Sequence, residues 1–245
     1  MKSKTLIHLS RRERQIMDTV YRLGRVLYGE ALTLQRELAM RRKAREIEDT
    51  VLLLEHNSVI TLGRNAKREH LISSPTVLEE QGIEVIETER GGDVTYHGPG
   101  QLVGYPILDL SAIRKDVVWY VRTLEEVLIR ASADFGVEAQ RIKGFTGVWV
   151  NGAKLAAIGV HISRWVTSHG FALNVETDLG NFKHIVPCGI TACAVTSLRE
   201  LLRVPVNRSA VEERIIEHMA ELFGFETRHG DPQSLQRREP WQSTC

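Results

Sequence analysis

The segment TGVWVNGAKLAAIGVHI, residues 146–162, constrains the fold more than any other. Asn151-Gly152 is the dipeptide that suits a two-residue type I′ turn, and the runs on either side of it are apolar, so the spacing predicts a β-hairpin. In its second strand, strict alternation puts Lys154, Ala156, Ile158, Val160 and Ile162 on one face and Ala153, Leu155, Ala157, Gly159 and His161 on the other. Both faces are mostly apolar, which predicts a strand covered on both sides. Lys154 then has two readings. It is an interior lysine, where burial disfavours the ammonium and leaves an amine able to accept a proton. Otherwise, two residues past the turn, its stem snorkels to solvent at the sheet edge.

Around this hairpin the predicted elements alternate. Strands are expected over Asp18–Gly24, Asp49–His56, Ser58–Gly63, Ile83–Glu89, Gln101–Leu110 and His169–Val175. Helices are expected over Tyr28–Glu46, Pro75–Gly82, Lys115–Gly136, Thr196–Leu202 and Asn207–Phe225, the last capped by Asn207 or Ser209. Hairpins mixed with helices give an α/β (α+β) class, a single domain with a central mixed β-sheet flanked by helices. Residues 18–225 form the expected domain. Residues 1–17 are a basic N-terminal extension, and residues 226–245 read as a polar C-terminal tail expected to be disordered.

Composition narrows the function classes. No apolar run approaches the roughly 18 residues of a membrane helix, and no secretory signal is evident, so a cytoplasmic location is expected. The three cysteines, Cys188, Cys193 and Cys245, match neither a zinc site nor a disulfide scaffold, which suits a reducing compartment; no metal site is expected. Net charge is +1, but residues 1–45 hold 12 Lys or Arg against 4 Asp or Glu. Such a segment is either a solvated helix face or a docking surface for an acidic partner. Nothing in the chain matches a nucleic-acid motif.

Two further segments carry chemistry. In RGGDVTYHGPGQLVGYPI, residues 90–107, so many glycines imply backbone packed close to something, yet their order is neither a Walker A loop nor a dinucleotide fingerprint. Its N–H groups, with Arg90 and His97, could donate to a carbonyl or an anion; a merely structural turn is the alternative. In HIVPCGI, residues 184–190, Pro187 and Gly189 mark a turn that can bring the Cys188 thiol and a backbone N–H to a ligand, so Cys188 reads as a reactive sulfur.

Taken together, RGGDVTYHGPGQLVGYPI, GVWVNGAKLAAIGVHISRWVTSHGFALNV (residues 147–175), FKHIVPCGI (182–190) and VTSL (195–198) closely resemble the octanoyltransferase family, the lipoyl(octanoyl) transferases of lipoate biosynthesis. The likeness spans roughly residues 18 to 225 in long, ordered motifs. It implies the catalytic-domain fold of biotin and lipoate protein ligases. It also implies transfer of an octanoyl group from octanoyl-acyl carrier protein to a specific lysine of lipoyl domains, those of 2-oxoacid dehydrogenase complexes and the glycine cleavage H protein. The family's nucleophile falls on Cys188 and its catalytic lysine on Lys154, with His184 as the rival base. No cofactor and no ATP are implied, and neither nucleic acid nor membrane is an expected partner.

The resemblance puts the acyl pocket at Arg90, Gly91, Gly92, Asp93, Val94, Thr95, Tyr96, His97 and Gly98, with Ala157, Ile158, Gly159 and His161 alongside and Gly170, Phe171 and Ala172 beyond. His169 is read rather as structural, Cys193 as a core or neighbouring residue, and Cys245 as part of the tail. Arg36, Arg41, Arg42 and Lys43 are expected to help dock the acidic carrier protein. The alternatives are a lipoyl-domain amidotransferase of the same fold, an ATP-dependent lipoate ligase and a non-catalytic binder of lipoyl domains.

Overall fold

Every residue of Thr50–His56 (β2) is buried, which is what a strand with hydrophobic layers on both faces demands. Its alternation sorts Val51 and Leu53 into one core cluster and Leu52 and Leu54 into another. A computed structural model describes residues 17–186 and 194–236 of the 245-residue chain. Of the residues singled out above, Pro187, Cys188, Gly189, Cys193 and Cys245 lie outside the described ones.

β2 lies inside an eight-stranded mixed sheet. The other strands are β1 (Met17–Val26), β6 (Gln101–Ile107), β7 (Gln140–Ile142), β8 (Phe145–Val150), β9 (Ala153–Ser163), β10 (Val166–Asn174) and β11 (Glu226–His229), in the order β11-β1-β2-β6-β10-β9-β8-β7. β1 runs parallel to β2 and β11, and the remaining neighbours are antiparallel. Three shorter strands, β3 (Val59–Leu62), β4 (Glu84–Glu87) and β5 (Val94–His97), form a second sheet in the order β4-β3-β5.

One face of the large sheet packs on α3 (Val117–Ala133) and α5 (Arg208–Phe223), through Leu124, Val127, Leu128, Ile215 and Met219. Each such side chain, fully buried, contributes about 1.5–3 kcal/mol. The other face packs on α1 (Tyr28–Lys43), whose buried Ala31, Leu38 and Ala39 meet Leu52, Val103 and Tyr105. Among the described residues the remaining α-helices are α2 (Pro75–Glu80), α4 (Leu198–Leu202) and a short α6 (Gln233–Gln236). The starts follow sequence chemistry: Ser74, Asp116 and Asn207 cap α2, α3 and α5 by accepting N–H bonds from Val77, Trp119 and Ala210.

Some expectations change. Asn207, not Ser209, caps α5. Residues 226–229, read as the start of a disordered tail, pair in parallel with β1 as an edge strand, and 233–236 are helical. β5 lies within the glycine-rich segment and β7 is a short edge strand; neither has an apolar run long enough to announce it.

Candidate active site

The Asn151-Gly152 turn forms as its sequence requires, with both residues at positive φ (49° and 81°). The strand that follows departs from simple alternation. Trp149 opposes Lys154, but Val148 opposes Ala156, so β9 carries one extra residue. Leu155 and Ala156 together face Val148, and all three side chains enter the same core cluster. This β-bulge moves Lys154 off the face of Ala156, Ile158 and Val160, where alternation put it, and onto that of Ala157 and Gly159.

Lys154 is 5% exposed, so its stem does not snorkel to bulk solvent. Its Nζ lies 4.6 Å from the centroid of the Trp149 ring, a cation–π arrangement. A Cβ on Gly147, at φ 126°, would sit 2.6 Å from the Ala156 carbonyl oxygen, so glycine there lets β8 lie close against β9. Beyond the point where β10 stops pairing with β9, Lys154 bonds to residues 194–196, which follow Cys188 in the chain. Its N–H donates to the Ala194 carbonyl at 2.8 Å, and its carbonyl accepts from the Thr196 N–H at 3.0 Å. The residues that precede Cys188 are anchored too: Val186 N–H donates to the His70 carbonyl at 2.8 Å, and Ile185 bridges Leu71.

Lys154 stands on the wall of a pocket between β9, β10 and the glycine-rich segment. Across its floor, Ala157 pairs with Ala172 and Gly159 with Gly170; the two alanines keep the floor low, while the space beside the two glycines is filled by Gly91 and Arg90 and by Gly104 and Pro106. Arg90, Gly92, Asp93, Val94, Thr95 and His97 form the opposite wall, and Ile158 and Phe171 also line it. Twelve of the sixteen expected pocket residues line this cavity.

The other four do not line it. Tyr96 points away, into the core of Ile60, Leu78 and Phe182, with its hydroxyl bonded to Ser58 and Asn181. Gly98 makes room for the Tyr96 ring, which a Cβ would strike at 2.1 Å from the hydroxyl oxygen. Gly91 donates its N–H to the Val160 carbonyl at 2.9 Å, and a Cβ on Gly159 would sit 2.8 Å from the Gly91 carbonyl oxygen. These glycines therefore clamp the loop onto β9, and the Gly91 N–H is not available to a ligand. His161 lies one step beyond Gly159, outside the lining.

Arg90 is turned inward as well. Its guanidinium donates to the Thr61 hydroxyl and carbonyl and to the carbonyls of Gly91 and Asp93, at 2.6–3.1 Å, and so organises the loop. The Asp93 carboxylate accepts from His70 and from the Val94 N–H.

The end of the pocket farther along the strands from Lys154 is polar and aromatic, a feature sequence reasoning missed. Tyr28, Tyr105, His97 and His169 line it, with His56 behind. His56 Nδ1 donates to the Val26 carbonyl at 2.8 Å, so its Nε2 accepts from the Tyr105 hydroxyl at 2.7 Å. Burial pushes His56 and His169 down to about 4 and His97 well below its ordinary value, and raises Tyr28 and Tyr105. The Arg90 charge pushes His97 and His169 further down. All three histidines are neutral near pH 7. His169, read as structural, thus stands on the pocket wall; at 4.0 Å from Glu89 it makes no ion pair while neutral.

His184 is buried and committed: its Nδ1 lies 2.6 Å from the Ser73 hydroxyl and its Nε2 2.9 Å from Gln81 Oε1. With both ring nitrogens engaged, it is the weaker candidate for a base. The expected carrier-docking arginines are also engaged within the protein. Arg36 forks onto Glu89, Arg41 lies near Glu37 and Glu46, and Arg42 is buried against Asp49 and Asp109. Among the described residues, no group of three or more His, Cys, Asp or Glu could hold a metal ion, and no helix is long and apolar enough to cross a membrane.

A family model described as the lipoyl protein ligase A/B catalytic domain matches residues 27–220. An octanoyltransferase of Solibacter usitatus (strain Ellin6076) is 56% identical over 204 residues, 83% of this chain and 92% of that one. Among solved structures, the bipartite lipoate protein ligase of Thermoplasma acidophilum matches with a TM-score of 0.70 at 17% identity, covering 91% of each chain. A biotin protein ligase from Aquifex aeolicus matches with a TM-score of 0.51 at 13% identity, over 85% of this chain and 71% of that one. The structural likenesses bear out the expected fold, and the sequence likeness carries the activity class: the chain belongs to the lipoyl protein ligase A/B catalytic-domain family, among its octanoyltransferases, and is an acyltransferase.

Proposed function

We propose that the protein moves an octanoyl group from octanoyl-acyl carrier protein to a specific lysine of a lipoyl domain, through a thioester on Cys188, with Lys154 carrying the proton. One observation supports this reading above the rest. A buried lysine stands on the wall of the pocket, and its backbone is bonded to residues 194 and 196, six and eight positions after Cys188 in the chain.

In the first half-reaction Lys154 takes the Cys188 proton, the sulfur attacks the donor carbonyl, and the carrier thiolate leaves with that proton. One thioester replaces another at little free-energy change. In the second half, the acceptor amine attacks the acyl carbon, its proton passes by way of Lys154 to the departing Cys188 sulfur, and an amide forms downhill. A thiolate suits both halves because it is both nucleophile and leaving group. Positioned proton transfer of this kind contributes about 10²- to 10⁴-fold. The small side chains of Ala157 and Ala172 on the pocket floor suit an unbranched chain. The acceptors are the lipoyl domains of 2-oxoacid dehydrogenase complexes and the glycine cleavage H protein, and the enzyme works in the cytoplasm, where the thiol stays reduced.

Intact mass after brief mixing with octanoyl-acyl carrier protein, without ATP, tests this. An octanoyl adduct that is absent in Cys188→Ala, and that chases onto a lipoyl domain, is the expected result. An adduct formed only from an acylated lipoyl domain would replace the donor with an amidotransferase's. No adduct from either would overturn covalent transfer.

A further inference from the structure

A line of buried amides with fixed polarity runs from the pocket wall to Lys154. Gln101, the first residue of β6, presents its Nε2 to two acceptors, the Tyr96 carbonyl at 3.2 Å and Asn174 Oδ1 at 2.9 Å. Its Oε1 therefore faces His97 Nδ1, 2.7 Å away, which must carry the hydrogen. Asn174, the last residue of β10, is oriented by the same logic. Its Oδ1 accepts from Gln101, so its Nδ2 donates to the Thr196 carbonyl at 3.0 Å. The Thr196 N–H then donates to the Lys154 carbonyl. Gln101, Asn174, Thr196, His97 and Lys154 are all between 2% and 6% exposed. Neither amide can turn over without leaving buried donors and acceptors unmatched.

The placement of Asn174 matters because β9 changes partner beside it. β10 pairs with β9 as far as Leu173 opposite Ala156; beyond the bulge, Lys154 pairs instead with Val195 in an isolated parallel bridge. Two backbone hydrogen bonds hold that bridge, and Asn174 adds a third bond from the sheet. We infer that Gln101 and Asn174 are positioning residues, which tie segment 194–196 to the His97 wall and so hold Lys154 in register with the pocket. This rests on the assignment of Lys154 as the proton carrier.

Asn174→Asp tests it with the cavity kept filled. The aspartate retains the acceptor toward Gln101 but sets a carboxylate oxygen against the Thr196 carbonyl. Gln101→Glu, which keeps the acceptor toward His97 and loses the donor to Asn174, is the second variant. Two quantities are read: the steady-state constants for octanoyl transfer, and the rate at which acetic anhydride modifies Lys154, followed by peptide mass spectrometry against Lys143 and Lys183 as internal references. The expected result is a fall in kcat of roughly tenfold or more with KM for the donor within about twofold, and a Lys154 modification rate changed at least threefold while the reference lysines are unchanged. Wild-type kcat and wild-type Lys154 modification in both variants would overturn the inference. So would a loss of activity accompanied by loss of the folded far-ultraviolet circular dichroism spectrum at the assay temperature, the mark of general unfolding. Failure of the parent reading looks different: Lys154→Ala would transfer like wild type, while Lys154 modification in the Asn174 variant still reports on positioning.

Discussion

The Nζ of Lys154 rests 4.6 Å from the centroid of the Trp149 ring, directly across the β8–β9 pair. The negative face of the ring attracts a cation placed there. Trp149 carries a cost for this role, since its indole Nε1 is buried without a hydrogen-bond partner among the described residues. A cation–π contact of about 0.5–2 kcal/mol predicts that Trp149→Leu lowers the octanoyl transfer rate roughly 2- to 30-fold. Lys154→Arg separates charge from proton transfer, because arginine keeps the charge over the ring yet does not release its proton. Its activity should match that of Lys154→Ala; wild-type turnover by Lys154→Arg would exclude proton transfer through this position.

The neutral histidines of the pocket make the fold sensitive to acid. His56 and His169 have folded values of about 4 against an ordinary value of 6.5, so the unfolded chain takes up their protons first as pH falls. Their stabilising contribution is complete above pH 6.5 and is lost progressively down to about pH 4, on the order of 3 kcal/mol for one such histidine. Urea unfolding between pH 7 and 4 should show stability falling across that window. His56→Gln should flatten the slope, and an unchanged slope in that variant would remove His56 from the account.

Glu125 on α3 is fully buried, accepts from Arg122 and Arg141, and also accepts the Gly147 N–H at 3.1 Å. Arg122 and Arg141 are 48% and 33% exposed and regain water when the carboxylate is lost, so the buried group that Glu125→Ala leaves unpaired is the Gly147 N–H, at about 1–3 kcal/mol. Glu125→Ala should therefore lower Tm by roughly 3–10 °C in a chain of this size. A Tm within about 2 °C of wild type would show that water substitutes for the carboxylate.

The elements were legible where burial imposes period, as in β2 and α3, and where a turn requires particular residues, as at Asn151-Gly152. They were hidden where the signal is short or polar: β5 is four residues inside a glycine-rich loop, and β7 and β11 are edge strands. The face of Lys154 was misread because a bulge leaves no mark in the apolar pattern when both faces are apolar. The distal end of the pocket was illegible for another reason. Tyr28, His56, Tyr105 and His169 come from a helix start and three different strands, and only the strand order brings them together. Arg42 looked like any residue of a basic helix, and only its burial against Asp49 withdraws it from the surface.

The paired small residues on the pocket floor make chain length a property that substitution can tune. Ala157 and Ala172 face one another across β9 and β10, one row nearer Lys154 than Gly159 and Gly170. A leucine at Ala157 would extend into the cavity and occupy space that the middle of an acyl chain requires. Each methylene then denied burial costs about 0.8 kcal/mol, roughly fourfold in kcat/KM. Ala157→Leu should thus discriminate against octanoyl far more than butyryl donors, moving the preferred chain length down by two or more carbons. Gly170→Ala is the contrast, because its Cβ would meet the Gly104 carbonyl oxygen at 2.2 Å, so it should lower stability rather than alter chain preference. Competition between butyryl-, hexanoyl- and octanoyl-carrier proteins reads both variants, and an unchanged preference in Ala157→Leu would mean that the acyl chain does not lie on this floor.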